Sequence, residues 1–189
     1  MRRQHFVLSF LVLIFAGLLT YYSAGFGYYP TLIVNGQWIF ASRVAQEARA
    51  SYTYYIRLAE AQKMTLNPAA VANELQRATL ERFVEKTLVS EELKSRLGGR
   101  VAAAVNRKID AAVVRPAELS SAAKTLYGLD SETFRRLMLE PQAEIDVLRE
   151  ELAANGLNYD EWLAQQKAAA SVQILFTPYR WNGEKMVGL

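Results

Sequence analysis

The longest apolar stretch of the chain lies at its N-terminus. No Asp, Glu, Lys or Arg occurs from Gln4 to Ser42, and the run from Phe6 to Tyr22 is almost wholly apolar. A helix needs about 20 such residues to cross the hydrocarbon core of a bilayer. The pattern therefore predicts a transmembrane signal-anchor helix over residues 6–27 that contacts the lipid bilayer. Arg2 and Arg3 precede it with no matching charge behind, which places residues 1–5 in the cytoplasm and residues 30–189 outside.

A cleaved signal peptide is the alternative interpretation of this segment. Its short apolar region would run from Phe6 to Leu19, and Ser23-Ala24-Gly25 offers the small residues that a signal peptidase recognises. The protein is then a single-pass cell-membrane protein if the segment is retained, and secreted or periplasmic if it is cleaved.

Short strands are predicted near both ends of the remaining chain. The apolar runs on either side of Asn35-Gly36 indicate a β-hairpin, because Asn-Gly tolerates the positive φ angles of a tight turn. A strand from Val172 to Phe176 is predicted to turn back at Asn182-Gly183 and pair with Lys185–Val187. We expect both strand pairs to form a single small sheet, since an isolated hairpin is marginally stable.

Between these strands the hydrophobic positions recur at helical spacing. Ser42, Asn67, Asp130 and Asn158 are predicted N-caps. Pro141 predicts a kink or break near Leu139–Glu140.

The predicted fold class is mainly α, with one transmembrane helix followed by a helical domain over residues 30–189 that carries short strand pairs near its two ends. The predicted helices run from Ser42, from Asn67-Pro68 to Gly98-Gly99, from Val101 to Val113, from Arg115-Pro116 to Gly128, from Asp130 to Asn155-Gly156, and from Tyr159 to Ala170.

Composition argues against enzyme chemistry. The chain has no cysteine, and its single histidine is His5, so it offers no thiolate nucleophile, catalytic triad or His-based metal cluster. Carboxylate pairs such as Glu91-Glu92 lie among basic residues on helices, where neighbouring side chains point apart and into solvent. No phosphate-binding loop or nucleophile motif is present. We therefore expect no enzymatic activity, no cofactor, no metal and no small-molecule substrate.

The charge does not indicate nucleic-acid binding. The 22 basic residues fall to 20 against 19 acidic ones once Arg2 and Arg3 are set aside, which leaves a net charge of +1. A phosphate backbone requires a basic stripe that such a balance does not supply.

Aromatic side chains are the most informative candidates for binding. Tyrosine and tryptophan combine apolar area with a polar group, which suits a groove that holds extended peptides. The same residues are equally compatible with core packing. The predicted peptide-binding residues are Tyr52, Tyr55, Phe134, Met138 and Trp162.

Four segments in order resemble the N-terminal chaperone domain of the SurA and PpiD group of folding factors, which is associated with peptidyl-prolyl isomerases. They are LIVNGQWI, LERFVEKTLVSEELKSRLG, YGLDSETFRRLMLEP and NGLNYDEWLAQQK. In the last, Gly156, Leu157, Asn158 and Tyr159 match the family's element, and Trp162 stands for an aromatic. The resemblance covers about residues 30–175.

The resemblance implies a helical cradle that holds unfolded or nascent exported polypeptides without ATP. Relatives often carry a parvulin isomerase module after the closing helix. This chain is expected to lack that module, so isomerase activity is not expected. The alternatives are a scaffold or assembly subunit that docks on one membrane protein, and a vestigial prolyl isomerase.

Overall fold

The structure of the chain is a computed structural model that describes residues 12–15, 17, 25–113 and 115–189. Residues 12–15 and 17 are helical, and over the described residues from 25 onward a hairpin comes first, helices follow, and three short strands come last. The elements are β1 (Pro30–Val34), β2 (Gln37–Phe40), α1 (Ala41–Gln62), α2 (Pro68–Leu97), a 3-10 turn (Gly98–Arg100), α3 (Val101–Ala112), α4 (Pro116–Ala122), a π-helical turn (Ala123–Tyr127), α5 (Ser131–Phe134), a second π-helical turn (Arg135–Leu139), α6 (Glu140–Ala154), α7 (Tyr159–Ala169), β3 (Val172–Ile174), β4 (Tyr179–Trp181) and β5 (Met186–Gly188).

The transmembrane helix is the part of the predicted fold class that is wrong. Among the described residues, no helix is long and apolar enough to cross a membrane. The helices α1 and α2, with 22 and 30 residues, reach the length, but charged side chains recur along both of them. Of the predicted span 6–27, only residues 12–15, 17 and 25–27 are described, and the rest of that prediction, with residues 1–5, lies outside the described residues.

The N-terminal hairpin is confirmed. Asn35 and Gly36 form the turn with φ angles of 48° and 82°, the left-handed conformations that an Asn-Gly turn supplies. Two side-chain amides, those of Asn35 and Gln37, each donate to the Glu91 carboxylate at 2.8 Å, so the turn is fastened to α2.

The predicted pairing at the C-terminus is wrong. β3 pairs antiparallel with β1 to give a sheet of order β2-β1-β3, while β4 and β5 pair with each other around Asn182-Gly183. The single predicted sheet is therefore two sheets. The chain leaves β3 because Phe176 takes a φ of 59° and Pro178 has no N–H to continue a ladder.

Three of the four predicted N-caps are confirmed at the starts of their helices. Asn67, Asp130 and Asn158 each accept hydrogen bonds from backbone N–H groups at the start of their helices. Ser42 is not a cap, because α1 begins at Ala41. The first N–H groups of α1 donate instead to the carbonyls of Tyr29 and Gly27, both at 3.0 Å.

No break occurs near Leu139–Glu140, because the backbone stays helical from Ser131 to Ala154, and the irregularity before Pro141 is a π-helical turn. The long segment after Asp130 divides into α5, the π-helical turn Arg135–Leu139 and α6, and Pro141 lies in the first turn of α6. Proline is tolerated there because its missing N–H would have no intrahelical partner.

The main core lies between the three-stranded sheet and helices α2, α6 and α7. Its fully buried side chains include Leu32, Leu80, Leu93, Leu148 and Leu152. A buried ion pair also joins helix α1 to α2. The fully buried carboxylate of Glu47 on α1 accepts from Lys86 Nζ at 2.6 Å and from Arg82 at 3.2 Å, both on α2.

Candidate polypeptide-binding groove

An open groove of about 950 Å³ runs along one side of α1. Five segments form it: the approach to β1, one face of α1, Gln76 of α2, the turn after α4, and the loop after β3. We call it the α1 groove. Its lining includes Gly27, Tyr29, Thr31, Ser42, Ala45, Ala48, Arg49, Thr53, Tyr127, Gly128, Leu129, Phe176 and Thr177.

The backbone contact between Gly27 and the start of α1 borders one end of the groove. Ser42 N donates to Gly27 O, and a Cβ at position 27 would lie 2.9 Å from Ser42 N. Gly27 also has a φ of 69°, a conformation that other residues rarely adopt. Both facts require glycine there, so this end of the groove is fixed by the backbone.

A row of aromatic rings supports the wall opposite β1. Tyr54 stacks on Tyr127 with ring centroids 4.9 Å apart and planes 12° apart, and Tyr127 meets Phe134 at 5.1 Å. Tyr55 touches Tyr54 edge to face at 6.0 Å. The row connects α1 to the π-helical turn and α5, and Tyr127 at its centre lines the groove.

Phe176 forms the rim on the opposite side. Its side chain is 82% exposed and meets Tyr29 edge to face at 5.7 Å. Its backbone is held in the left-handed region, at a φ of 59°, while the preceding Leu175 is fixed by a hydrogen bond from its N–H to Thr31 O at 2.9 Å. A non-glycine residue pays about 1–3 kcal/mol for such a conformation, and strain of this kind concentrates at ligand-binding positions.

The polar character of the groove suits a polypeptide main chain. Arg49 is the one charged residue of the lining, and its guanidinium forms no hydrogen bond or ion pair with any residue that the structure describes. Gln46 and Gln76 add amide groups, and no carboxylate belongs to the described lining. Burial raises the pKa of Tyr127, and nearby Tyr54 adds to the rise, so this phenol stays neutral. The described lining therefore combines apolar contact area with groups that can form hydrogen bonds.

The five predicted binding residues lie beside the groove or away from it, and none lines it. Tyr55, 46% exposed, and Phe134, which is buried, belong to the aromatic row. Tyr52 and Met138 are half-buried. Trp162 is buried in the main core, 5.8 Å from the ring of Tyr159.

Sequence reasoning missed the residues that do line the groove. Tyr29 belongs to an apolar stretch without helical or strand period, and Phe176 is the last residue of a predicted strand. In the sequence, Arg49 is indistinguishable from an ordinary solvent-exposed charged residue on a helix. Only the fold brings these three side chains together, and the aromatic content of the chain was the one signal in the sequence.

The described residues do not include any group of three His, Cys, Asp or Glu side chains that could hold a metal ion. Comparisons of the chain with protein-family models, with curated proteins and with solved structures found no match. The geometry of the groove and the sequence resemblance are the two indications of function.

Proposed function

We propose that the chain is an ATP-independent, chaperone-like protein that holds unfolded or extended polypeptide segments in the α1 groove. Following the resemblance to SurA and PpiD domains, we take its clients to be unfolded or nascent exported polypeptides.

The observation that carries this proposal is the combination of an open groove of about 950 Å³ with an exposed aromatic rim. Small-molecule sites are usually enclosed and of about 300–1,000 Å³. A groove of this size that is open to solvent admits a chain passing through it. Tyr29 and Phe176 offer apolar contact, and Arg49, which has no side-chain partner among the described residues, and the glutamine amides offer hydrogen bonds to peptide carbonyls.

Suppression of aggregation by the full chain tests the proposal. Heat-unfolded citrate synthase is the client, and light scattering is the measurement. Ala45→Trp should block the groove, because residue 45 lies in its lining and is exposed. Ala102→Trp on α3 is the matched control, since Ala102 is an exposed helix residue outside the groove.

We expect the wild-type chain and A102W to suppress scattering equally and A45W to suppress it less. Phe176→Ala should also weaken suppression, whereas Leu157→Ala, which removes another exposed apolar side chain, should not. Absence of suppression by the wild-type chain in large molar excess would refute the proposal. So would recovery of one folded, stoichiometric partner in place of unfolded clients, which is the outcome expected of a scaffold.

A further inference from the structure

A second pocket, of about 460 Å³, lies on the other side of α1, beside the edge of the three-stranded sheet. β2 is an edge strand, because β1 pairs with it on one side only and takes β3 on the other. The pocket separates β2 from the π-helical turn Arg135–Leu139 and the start of α6, and the mid-part of α2 contributes to its lining.

The backbone of Trp38 faces this gap. In a hairpin with a two-residue turn, the residues that flank the turn exchange hydrogen bonds and the next pair does not. Trp38 pairs with Ile33 in that next position, so its N–H and C=O point away from β1. The pairing of β1 with β3 is consistent with this orientation. Ile33 pairs with Gln173 of β3, and Asn35 N–H, two residues further along β1, donates to Ser171 O at 2.9 Å, so the backbone N–H and C=O of Ile33 point toward β3 and away from Trp38.

This edge is held rigidly in place. Glu91 accepts from the side chains of both Asn35 and Gln37, and the Ile39 side chain is buried beneath the sheet. The side chain of Trp38 points to the other face and is 61% exposed. An added strand would therefore meet a preformed edge with an aromatic platform beside it, which reduces the entropy that binding must overcome.

Among the described lining residues three side chains are basic and three are acidic, and Arg82 and Arg135, which pair with Glu47 and Glu140 from outside the lining, bring the local total to five cations against three carboxylates. Arg43 and Arg136 belong to the lining and form no ion pair or hydrogen bond within the part of the chain that the structure describes. Glu47 is neutralised by Lys86 and Arg82.

Two further carboxylates belong to the lining. Glu140 lies 3.6 Å from Arg135, to which it forms an ion pair. Glu144 forms no ion pair with a described residue, and burial raises its pKa, with the nearby Glu140 adding to the rise. Two arginines and one carboxylate, that of Glu144, are therefore the lining charges without an ion pair among the described residues, which leaves an excess of positive charge.

We propose that the edge of β2 binds an extended polypeptide as an added strand, and that Arg43 and Arg136 favour segments that carry carboxylate side chains. The ligand class, an extended polypeptide, rests on the proposed function. The site is separate from the α1 groove, so a client chain has two surfaces on opposite sides of α1.

Binding of short fluorescein-labelled peptides to the full chain, followed by anisotropy, tests the proposal. The probe alternates Val and Thr and carries two central Glu residues, and its counterpart has Gln in their place. Arg43→Gln and Arg136→Gln should each weaken binding of the acidic peptide by about two- to fivefold, as for an exposed ion pair. They should leave the Gln counterpart unchanged. Arg107→Gln is the matched control, because Arg107 is also exposed and its side chain has no partner in the described part of the chain.

Two variants at position 38 separate the backbone from the side chain. Trp38→Pro removes the outward N–H, and proline is tolerated at an edge position whose N–H faces solvent. Trp38→Ala keeps that N–H and removes the ring. We expect W38P to abolish binding of both peptides and W38A to retain part of it, with unfolding midpoints that show both variants folded. Hydrogen exchange at the Trp38 amide should slow when peptide binds.

Equal binding by W38P and W38A, or an unprotected Trp38 amide in the complex, would overturn the added-strand geometry. Self-association of the wild-type chain that W38P abolishes would show that a second copy occupies the edge, and would overturn the choice of ligand. Failure of the proposed function looks different, because A45W and A102W then suppress aggregation equally while peptide binding at β2 persists.

Discussion

The buried carboxylate of Glu47 predicts a large cost for removing one of its partners. The Glu47 side chain is fully buried, and Lys86, whose side chain is 16% exposed, donates to it at 2.6 Å. Lys86→Met leaves that carboxylate with Arg82 alone, at 3.2 Å and from a side chain 44% exposed. Breaking a buried pair costs about 3–5 kcal/mol. Because Arg82 remains, we expect the lower end of that range, about 3 kcal/mol.

The double variant Glu47→Met, Lys86→Met provides the critical comparison. It removes the buried charge along with its partner and replaces both with apolar side chains, a change that is often neutral or stabilising. Arg82 stays half exposed and hydrated, so it adds no buried charge. We expect the double variant to lie within about 1 kcal/mol of the wild-type protein and to be more stable than K86M.

Urea denaturation followed by tryptophan fluorescence measures both effects as shifts of the midpoint at constant m-value. A loss of about 3 kcal/mol corresponds to a fall in melting temperature of about 6–12 °C for a chain of this length. A K86M cost below about 1 kcal/mol, or a double variant as unstable as K86M, would refute the reasoning. It would mean that water reaches Glu47 and that α1 is not held by this ion pair.

Three further predictions concern a cap, the aromatic row and a buried acid. Asn158→Ala should cost about 1 kcal/mol of unfolding free energy in the same urea assay, because the Asn158 side chain accepts two backbone N–H groups of α7, and Asn158→Asp should cost less. A double-mutant cycle with Tyr54→Ala and Tyr127→Ala should give a coupling of about 0.5–1.5 kcal/mol, and additive effects would contradict the stacked geometry. The pKa of Glu144 is raised by burial, so its contribution to stability is present below pH 4.5 and declines as pH rises through the folded-state pKa. Glu144→Gln should therefore be more stable than wild type at pH 7, with the two stability curves converging below pH 4.5.

Local signals in the sequence predicted much of the fold. Asn35-Gly36, Asn67-Pro68 and Asn158 each determine a turn or a cap through their own backbone and side chain, and all three are as expected. Long-range pairings were not accessible in this way. The position of β3 beside β1 depends on hydrogen bonds between residues far apart in the chain, such as Asn35 N–H to Ser171 O. The hydrophobic periodicity of a single segment does not indicate such long-range hydrogen bonds.

The binding residues were harder to predict than the helices for the same reason. A pattern of aromatic residues does not distinguish a ring that lines a groove from one that supports it, as Tyr127 and Phe134 illustrate. Trp162 had the right chemistry for binding but lies on the buried face of α7. Phe176 was missed because its exposure depends on a left-handed backbone that only the packing around β1 and β3 enforces.

The two proposed binding surfaces share one structural element, and this makes their independence testable. Gln46 lines both the α1 groove and the pocket beside β2, and the adjacent Glu47 fixes α1 to α2 between them. A change that shifts α1, such as Lys86→Met, should therefore weaken aggregation suppression and peptide binding together. Ala45→Trp and Trp38→Pro alter one surface each without touching the Glu47 ion pair. If clients use the surfaces separately, these two variants lose different functions. If one client spans α1, each variant reduces its affinity, and the double variant loses more than either alone.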